Sequence, residues 1–309
     1  MTQSDAYTPT LSIVVPVYNR LDLIMDTLHS IASQKEENFD LIVVDNGSTD
    51  GSYDLLQREL PQLAHDNMRT RLLCQPKPGA ACARNMGLQA AETDWTLFFD
   101  SDDLMMPGHI HRLMDAARSN KAADVIGAPV LSHDGNRPLK VLPFEPTLPP
   151  HLMHSRWSTQ RYMARTSLFR HVGGWNERLP GWDDFELGVR LLLQKPEVVT
   201  IKGQPLVKQL QHTASITGPD FSHSPLKWEV ALDEIARLLD GRDEMKYVAA
   251  RNVILAAIYS REGHPELAAP RYRLGLEQST RSQRPIIRLI YHTVRLAGHG
   301  GSFIALRTL

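Results

Sequence analysis

The sequence is poor in cysteine, and this excludes one class of fold at the start. Its 309 residues include two cysteines, Cys74 and Cys82, and neither has a neighbouring ligand at metal-binding spacing. Two cysteines are too few for a disulfide framework, which small secreted domains often need. We therefore expect a protein of a reducing compartment.

Long apolar runs are also absent from the sequence. No segment approaches the roughly 20 consecutive apolar residues that a helix needs to cross a bilayer. The first 10 residues are polar and lack the order of a signal peptide, in which a charged part precedes an apolar one. The expectation is a cytoplasmic protein, either soluble or peripheral on the inner face of the membrane.

The chain also lacks an excess of charge of either sign. Lys and Arg number 34 and Asp and Glu number 35, which gives a formal net charge of −1. A global attraction to nucleic acid would need a positive excess, so we expect no nucleic-acid partner. Any electrostatic partner must be recruited by a local patch.

Apolar residues in the first 130 positions alternate between two spacings. Short β-branched runs predict buried strands, and runs with apolar residues three or four positions apart predict helices. Strands that alternate with helices predict an α/β fold with a mainly parallel sheet covered by helices on both faces. The predicted strands are 11–17, 40–45, 70–74, 95–100 and 123–130, and the predicted helices are 21–31, 53–60, 80–91 and 108–118.

The rest of the chain divides into three parts. Prolines make 131–165 loop-rich in our prediction. A helix at 183–193 and strands at 198–201 and 206–210 follow. From residue 225 the pattern is entirely helical, so we set a domain boundary at residue 222, between a sheet-containing domain (1–222) and a helical extension (223–309). The predicted helices of the extension are 225–240, 244–261, 265–279 and 284–298.

Polar residues follow three of the predicted strands directly. Tyr18 and Asn19 follow the first, Asp45 and Asn46 the second, and the segment 100–103 (DSDD) the fourth. Parallel sheets bind ligands at the carboxyl ends of their strands. The sequence therefore predicts a binding site where these three ends converge.

The DSDD segment is the strongest candidate for a metal site. Side chains two residues apart in an extended segment point the same way, so Asp100 and Asp102 can face one ligand. Carboxylates of this kind hold Mg²⁺ or Mn²⁺ beside phosphates. The segment could equally be an acidic turn that caps the helix after Pro107.

Two further segments have both a structural and a functional interpretation. The segment 45–51 (DNGSTDG) is either a turn with a helix cap or a place where Asp45 and Asn46 contact a base and a ribose. Residues 78–85 enter a helix, a position suited to anions, and Arg84 lies one turn inside it. An exposed helical arginine is, however, usually only solvated.

Taken together, these segments resemble the family 2 inverting glycosyltransferases of the GT-A fold. The matching segments follow the family's order over about two-thirds of the chain. They are SIVVPVYN (12–19), VDNGSTDG (44–51), ARNMG (83–87), FDSDD (99–103), GGWNE (173–177), WDDFEL (182–187) and QHTASIT (211–217).

The resemblance implies a role for each matching residue. It implies a divalent cation, Mn²⁺ or Mg²⁺, with Asp102 as a ligand and His212 approaching the cation or the diphosphate. By itself His212 would more often be a structural or surface histidine. The residues implied to bind the donor nucleotide are Pro16, Tyr18, Asn19, Asp45, Asn46, Arg84, Asp100 and Ser101.

The resemblance also implies a catalytic base and an acceptor site. Asp184 stands where the family has the carboxylate that accepts the proton of the acceptor hydroxyl. Asp183 is a rival for this role, and both carboxylates could simply favour the first turn of a helix. Trp175 and Trp182 flank the acidic pair and could stack on a sugar, so that they and Asp183 would bind the acceptor, although tryptophans are as often part of a core.

The C-terminal part lies outside the resemblance. Residues 244–279 look like one helical hairpin, similar to a tetratricopeptide unit. Residues 280–309 carry five arginines and no acidic residue, a profile of a helix that lies on an anionic membrane surface. A solvated basic helix that packs its apolar side on the hairpin is the alternative.

The sequence thus predicts a metal-dependent inverting glycosyltransferase of polysaccharide biosynthesis. The expected donor is a nucleoside-diphosphate sugar, with UDP as its nucleotide, and the expected acceptor is a saccharide or a lipid-linked saccharide. Asn46, where many relatives have aspartate, leaves the base open. A sugar-nucleotide pyrophosphorylase would need a glycine-rich basic loop after the first strand, where this chain has Tyr18 to Asp22 (YNRLD). A non-enzymatic carbohydrate-binding or scaffold protein would be expected to have lost the carboxylates.

Overall fold

The protein is described by a computed structural model that covers residues 7–211 and 220–309. Within these residues the chain forms two compact units. The sheet unit comprises residues 7–146, 157–177 and 194–211. The helical unit comprises residues 147–156, 178–193 and 220–309. Residues 147–156 and 178–193 thus cluster with the C-terminal helices, whereas a functional boundary at residue 222 stays a prediction.

The helices and strands alternate regularly only as far as residue 98. They are β1 (Leu11–Val17), α1 (Ile24–Ala32), β2 (Phe39–Asp45), α2 (Ser52–Leu63), β3 (Met68–Cys74), α3 (Ala80–Ala90), β4 (Trp95–Phe98), β5 (Leu104–Met105), α4 (His109–Ser119), β6 (Val125–Gly127), β7 (Val130–His133), β8 (Pro138–Leu142), α5 (Leu148–His154), a 3₁₀ turn (Thr159–Arg161), β9 (Tyr162–Arg165), α6 (Thr166–His171), α7 (Asp183–Leu193), β10 (Val198–Thr200), β11 (Val207–Leu210), α8 (Leu226–Leu238), α9 (Met245–Arg261), α10 (Pro265–Glu277), α11 (Arg284–Ala297) and α12 (Gly301–Thr308).

The sheet unit is built on a seven-stranded, mostly parallel sheet with the order β10-β6-β9-β4-β1-β2-β3. All seven residues of β1 are buried, as expected for a strand covered on both faces. Among the described strands of this sheet, β9 alone runs antiparallel, to its neighbours β4 and β6. The predicted α/β fold with a mainly parallel sheet is confirmed.

The predicted single strand at 123–130 is wrong, because the segment contributes to two sheets. β6 ends at Gly127 and belongs to the large sheet, whereas β7 begins at Val130 and belongs to a four-stranded sheet with the order β5-β11-β7-β8. A Cβ on Gly127 would lie 2.0 Å from the ring of Phe144, so the ring packs directly on this backbone. A continuous apolar run carries no sign of such a change of sheet.

The prediction of a loop-rich stretch at 131–165 is also wrong in large part. β8 pairs antiparallel with β7, and β9 enters the middle of the large sheet. The prolines occupy positions where a missing N–H costs little. Pro138 begins an edge strand, and Pro149 and Pro150 lie in the first turn of α5.

The helical unit is organised around α9. This helix packs against α10 and α11, and its small and apolar residues are almost fully buried. A Cβ on Gly275 of α10 would lie 2.8 Å from the backbone oxygen of Ala249, so α9 and α10 approach as closely as a glycine allows. The hairpin predicted at 244–279 is therefore present, and α12 is an additional helix that the sequence patterns did not indicate.

The basic helix α11 packs its apolar side onto the helical unit, as in the alternative considered above. Ile287, Ile290 and Val294 are buried. Leu289 and Leu296 of α11 and Phe303 of α12 remain exposed. In the described ranges, no helix is both long and apolar enough to span a membrane.

Candidate active site

The three polar segments leave the large sheet at one edge. β1 pairs with β2 on one side and with β4 on the other, in parallel. The ladder continues past the strand ends, since the N–H of Asn46 donates to Val17 O over 2.8 Å and that of Phe99 to Val14 O over 2.9 Å. The segments after β1, β2 and β4 are thereby held side by side.

The first two segments are joined through Asn19. Its backbone is left-handed (φ 49°), its N–H donates to Ser48 Oγ over 3.0 Å, and its Oδ1 accepts from the N–H of Thr49 over 2.8 Å. Asn19 thus fixes the turn after β2, while the neighbouring Tyr18 stays 58% exposed and available to a ligand. Pro16 lies within β1, where it pairs with Val44.

Asp45 is buried at the end of β2, and its two carboxylate oxygens differ. Oδ2 accepts from the N–H groups of Gly47 and Ser48, at 3.0 and 3.1 Å. Oδ1 is buried, and no described residue hydrogen-bonds to it. A buried acceptor without a donor is costly to the fold, and a ligand N–H or O–H would satisfy it.

The Asn46 side chain is committed to the protein itself. Its amide donates to Gln75 O and Lys77 O, at 2.9 and 2.7 Å, and its Oδ1 accepts from the N–H of Gly79 over 2.7 Å. These bonds hold the loop that enters α3. The structure therefore gives Asn46 a positioning role, and the contact with base or ribose stays a prediction.

Helix α3 carries Arg84 to the end of β4. The helix lies directly on β1, since a Cβ on Gly87 would lie 2.2 Å from Val14. Arg84 is largely buried, and its Nη2 lies 2.9 Å from Asp100 Oδ1. Its guanidinium also lies 4.4 Å from the ring centroid of Trp175. Arg84 is thus a fixed cation at the edge of the sheet rather than a solvated side chain.

Trp175 does not have an open ring face for a sugar. It is 2% exposed, and its ring packs edge-on against Phe98 in addition to the Arg84 guanidinium. The assignment of Trp175 to an acceptor platform is therefore corrected, since the residue belongs to the core. It supports the site through Arg84.

The DSDD segment after β4 contains carboxylates in different environments. Asp102 Oδ2 lies 3.5 Å from Arg20 Nη2, and both side chains are about one quarter exposed (24% and 26%). Ser101 is buried. Asp103 is also buried, and its Oδ1 accepts from the N–H of Leu210 over 2.8 Å, while its Oδ2 accepts from Gln160 Nε2. Burial, together with the charges of Asp100 and Asp102, raises the pKa of Asp103 well above its usual value.

Asp103 links the DSDD segment to β11, which ends at Leu210, two residues before His212. The predicted role of His212 lies outside the described residues. Neither this contact nor the Arg20–Asp102 pair could be predicted, because both join positions that no local sequence pattern connects.

Glu177 is another residue without a predicted role. It lies 2.5 Å from Lys77 Nζ and accepts from Asn85 Nδ2 over 2.9 Å, and these contacts lower its pKa. Asn85 also accepts from the N–H of Trp175 over 2.8 Å. The GGWNE segment is therefore attached to α3, beside the loop that Asn46 holds.

The carboxylates at this edge fit a hard divalent cation. The described residues contain no group of three or more His, Cys, Asp or Glu side chains arranged for a metal. Asp102, with Asp100 nearby in sequence, could supply one or two oxygen ligands to such a cation, and Mg²⁺ is commonly held by this number together with phosphate oxygens and water.

In the helical unit, Asp183 and Asp184 begin α7, and both are partly exposed. Asp184 Oδ1 accepts from the N–H of Phe185 over 2.7 Å. Trp182 precedes them with a left-handed backbone (φ 53°), a strained conformation for a bulky residue. Its ring contacts Phe185 and Trp228, with centroids 5.5 and 5.0 Å apart, and remains partly exposed.

The mainly parallel sheet with carboxylates and arginines at its edge is the architecture of the GT-A glycosyltransferases. The fold is similar to that of TarS 1–349 from S. aureus in complex with UDP-GlcNAc, with a TM-score of 0.67, 17% identity, and coverage of 93% of this chain and 91% of TarS. It is also similar to the mannosyltransferase PcManGT from Pyrobaculum calidifontis in complex with GDP-Man and Mn²⁺. That match has a TM-score of 0.58 and 16% identity, and covers 98% and 87% of the two chains.

The chain belongs to glycosyltransferase family 2. The model of that family matches residues 12–172, just over half of the length of this chain. It is similar to TuaG of Bacillus subtilis, named for teichuronic acid biosynthesis, with 30% identity over 41% of this chain and 50% of TuaG. It is also similar to the glycosyltransferase GlyG of Streptococcus pneumoniae, with 36% identity over 38% of each chain. The matched segments thus span half or less of these two relatives. Membership of this family favours a glycosyltransferase over the pyrophosphorylase or scaffold considered above.

Proposed function

We propose that the protein transfers a sugar from a nucleoside-diphosphate sugar, preferably a UDP-sugar, to a hydroxyl of a saccharide or lipid-linked saccharide, with inversion at the anomeric carbon. The observation that carries the donor assignment is the unpartnered buried oxygen of Asp45 at the sheet edge. A nucleobase or ribose supplies N–H and O–H donors for such an oxygen. Tyr18 is exposed next to this position and offers a ring face for the base.

The ligands of similar proteins support a donor of this class. TarS structures hold UDP-GlcNAc and UDP, and the PcManGT structure holds GDP-Man and Mn²⁺. The name of TuaG associates that protein with teichuronic acid biosynthesis, and this association supports a saccharide acceptor for the present chain.

Asp102 is proposed to hold a divalent cation, Mn²⁺ or Mg²⁺, with His212 as a further ligand. The cation, when bound, neutralises the negative charge that develops on the departing diphosphate. The chain contributes a second cation of its own, because Arg84 is fixed at Asp100 and carries a permanent positive charge at the same edge.

Asp184 is proposed as the general base that accepts the proton of the acceptor hydroxyl as its oxygen attacks the anomeric carbon. A carboxylate on the face opposite the leaving group produces an inverted product. Asp183, the first residue of α7, is the competing candidate. Trp182 is proposed to contact the acceptor through its partly exposed ring.

The exposed side of α11 and α12 is proposed to bind an anionic membrane surface, on which a lipid-linked acceptor would be found. Arg281, Arg288, Arg295 and Arg307 are exposed, beside the exposed Leu289, Leu296 and Phe303. Basic residues attract anionic lipids, and exposed apolar side chains can enter the interface.

A screen of UDP- and GDP-sugars for Mn²⁺-dependent donor hydrolysis tests the donor class. Asp45→Asn replaces one oxygen by an N–H donor, so the Kd of the accepted nucleotide should rise, while Asp54→Asn, on the exposed side of α2, should leave it unchanged. If no nucleotide sugar is hydrolysed or bound, the proposed donor class is wrong.

A further inference from the structure

The guanidinium of Arg251, in α9, packs on two aromatic rings. Its Cζ lies 4.6 Å from the ring centroid of Trp182 and 5.2 Å from that of Phe185. Its Nε is buried and has no hydrogen-bond partner in the described part of the chain. Among residues 7–211 and 220–309 no ion pair to Arg251 is found, and the residue as a whole keeps partial exposure to solvent.

Two other arginines of the helical unit form ion pairs with carboxylates. Arg271 is buried, and its guanidinium lies 2.5 Å from Asp233 and 3.0 Å from Glu229. Arg190 lies 2.7 Å from Glu186. In contrast, the aromatic rings under Arg251 attract a cation but supply no opposite charge.

Burial lowers the pKa of Arg251 to about 10, so the group still carries its charge at neutral pH. A buried charge without a partner lowers the stability of the fold. A residue that is costly to the fold and partly open to solvent is a candidate for ligand binding.

The Arg251 guanidinium lies over the ring of Trp182. Trp182 immediately precedes Asp183 and Asp184 in sequence. The turn before α7 is closely packed, since a Cβ on Gly181 would lie 3.0 Å from Lys227 Cβ. The left-handed backbone of Trp182 and its contacts with Phe221 and Trp228 hold its ring under the guanidinium. The cation is therefore held at the start of the helix that we expect to face the acceptor.

We propose that Arg251 binds an oxyanion of the acceptor, so that the protein glycosylates an anionic saccharide. The planar guanidinium can form two parallel hydrogen bonds with a carboxylate or with a phosphate. Either group would supply the charge and the acceptors that Arg251 lacks. That the oxyanion belongs to a saccharide acceptor rests on the proposed function, whereas the binding of an oxyanion by Arg251 does not.

The first experiment measures anion binding to the full chain. The melting temperature is recorded in inorganic phosphate, in glucuronate and in glucose, at constant ionic strength, for the wild type, for Arg251→Met and for Arg242→Met. Arg242 is exposed in the same unit and serves as the control for loss of one positive charge. Phosphate can raise the melting temperature of any protein by exclusion from its surface, and Arg251→Met measures this background.

We expect phosphate or glucuronate to raise the melting temperature of the wild type and of Arg242→Met more than that of Arg251→Met. A larger effect of phosphate indicates a phosphodiester acceptor, and a larger effect of glucuronate indicates a uronate. Equal gains in all three proteins would overturn the proposal and leave Arg251 as a packing residue. If Arg251→Met does not fold, Arg251→Lys keeps the charge but loses the planar fork, and an unchanged anion effect in that variant counts against paired hydrogen bonds.

The second experiment measures transfer to matched anionic and neutral acceptors. In Arg251→Met the KM for the anionic acceptor should rise roughly 10-fold or more, because one partner of a charged hydrogen bond is removed. Donor hydrolysis without acceptor should be retained, and the KM for the neutral acceptor should rise less than the KM for the anionic one. Equal loss with both acceptors would contradict the proposal. If neither the wild type nor its variants hydrolyse a nucleotide sugar, the proposed function fails. Anion binding to Arg251 is tested independently by the melting temperatures.

Discussion

Arg20 lies 3.5 Å from Asp102, so the carboxylate expected to hold the divalent cation already faces a positive charge supplied by the chain. Both side chains are only partly exposed, and the two segments that carry them leave neighbouring strands of the sheet. A cation that binds Asp102 must therefore compete with the Arg20 guanidinium. This arrangement keeps the carboxylate neutralised and in place when no cation is bound.

The first prediction concerns this carboxylate. Asp102→Ala should abolish sugar transfer, because it removes the proposed oxygen ligand of the cation. It should leave the melting temperature within a few degrees of the wild type, since the side chain is partly exposed and is not part of the core. Removal of divalent ions by a chelator should have the same effect on activity. Full activity in chelator, with no response to added Mn²⁺ or Mg²⁺, would refute the metal assignment.

The second prediction distinguishes the two carboxylates at the start of α7. Asp184→Asn keeps the shape of the side chain but removes the proton acceptor, so kcat should fall by at least ~10²-fold while donor binding is retained. Asp183→Asn is the matched variant and should have the smaller effect. NMR of the new glycosidic bond should show an inverted anomeric configuration. A retained configuration would refute the inverting mechanism. A larger loss of kcat in Asp183→Asn than in Asp184→Asn would make Asp183 the base.

The third prediction uses a buried histidine of α4. Burial, and to a lesser extent the charge of Arg112, lowers the pKa of His109 from 6.5 to about 4. The unfolded chain therefore binds the proton more readily than the folded protein. The contribution of neutral His109 to stability is complete above pH 6.5 and is lost as the pH falls from 6.5 towards 4, by up to about 3 kcal/mol.

The comparison of wild type with His109→Gln separates this effect from that of the many carboxylates. Denaturant unfolding between pH 8 and about pH 4 should show a steeper loss of stability in the wild type. Parallel curves for the two proteins would mean that His109 does not titrate in this way.

The fourth prediction concerns the arginines of α11. Because Ile287, Ile290 and Val294 are buried, deletion of residues 280–309 would damage the core of the helical unit. Charge reversal at the exposed Arg288 and Arg295 is the cleaner change, since each basic residue near an anionic bilayer contributes about 1 kcal/mol. The double Glu variant should lose the salt-sensitive co-sedimentation with anionic liposomes that we expect of the wild type. Arg242→Glu is the control, and absence of wild-type binding at low salt would exclude the membrane surface as a partner.

Much of the fold could be predicted from the sequence because local spacing determines it. β1 has the bounds that its apolar run predicts, and α3 and α7 agree with prediction to within one residue at each end. The change of sheet after Gly127 and the insertion of β9 could not be predicted, because both depend on what packs against the chain. In the site, sequence order identified Asp45, Arg84, Asp100 and Asp102 at one edge, but not their partners. Arg20 and Trp175 join the site through contacts distant in sequence, and only the burial of Trp175 showed that it is a core residue.

The antiparallel strand β9 has a consequence for the order in which the chain can fold. It fills the space between β4 and β6, although it follows β6 in the chain by more than 30 residues. A nascent chain that has not yet presented residues 162–165 can pair β1 to β4 but leaves β4 as an open edge. Open edges with unpaired N–H and C=O groups are sites of aggregation. Because long-range pairing is also slow, we expect the insertion of β9 to be one of the slow steps in the formation of the sheet unit. Translation pauses or truncations before residue 165 should therefore expose the protein to chaperones and to self-association, even though every motif up to the DSDD segment has already been synthesised.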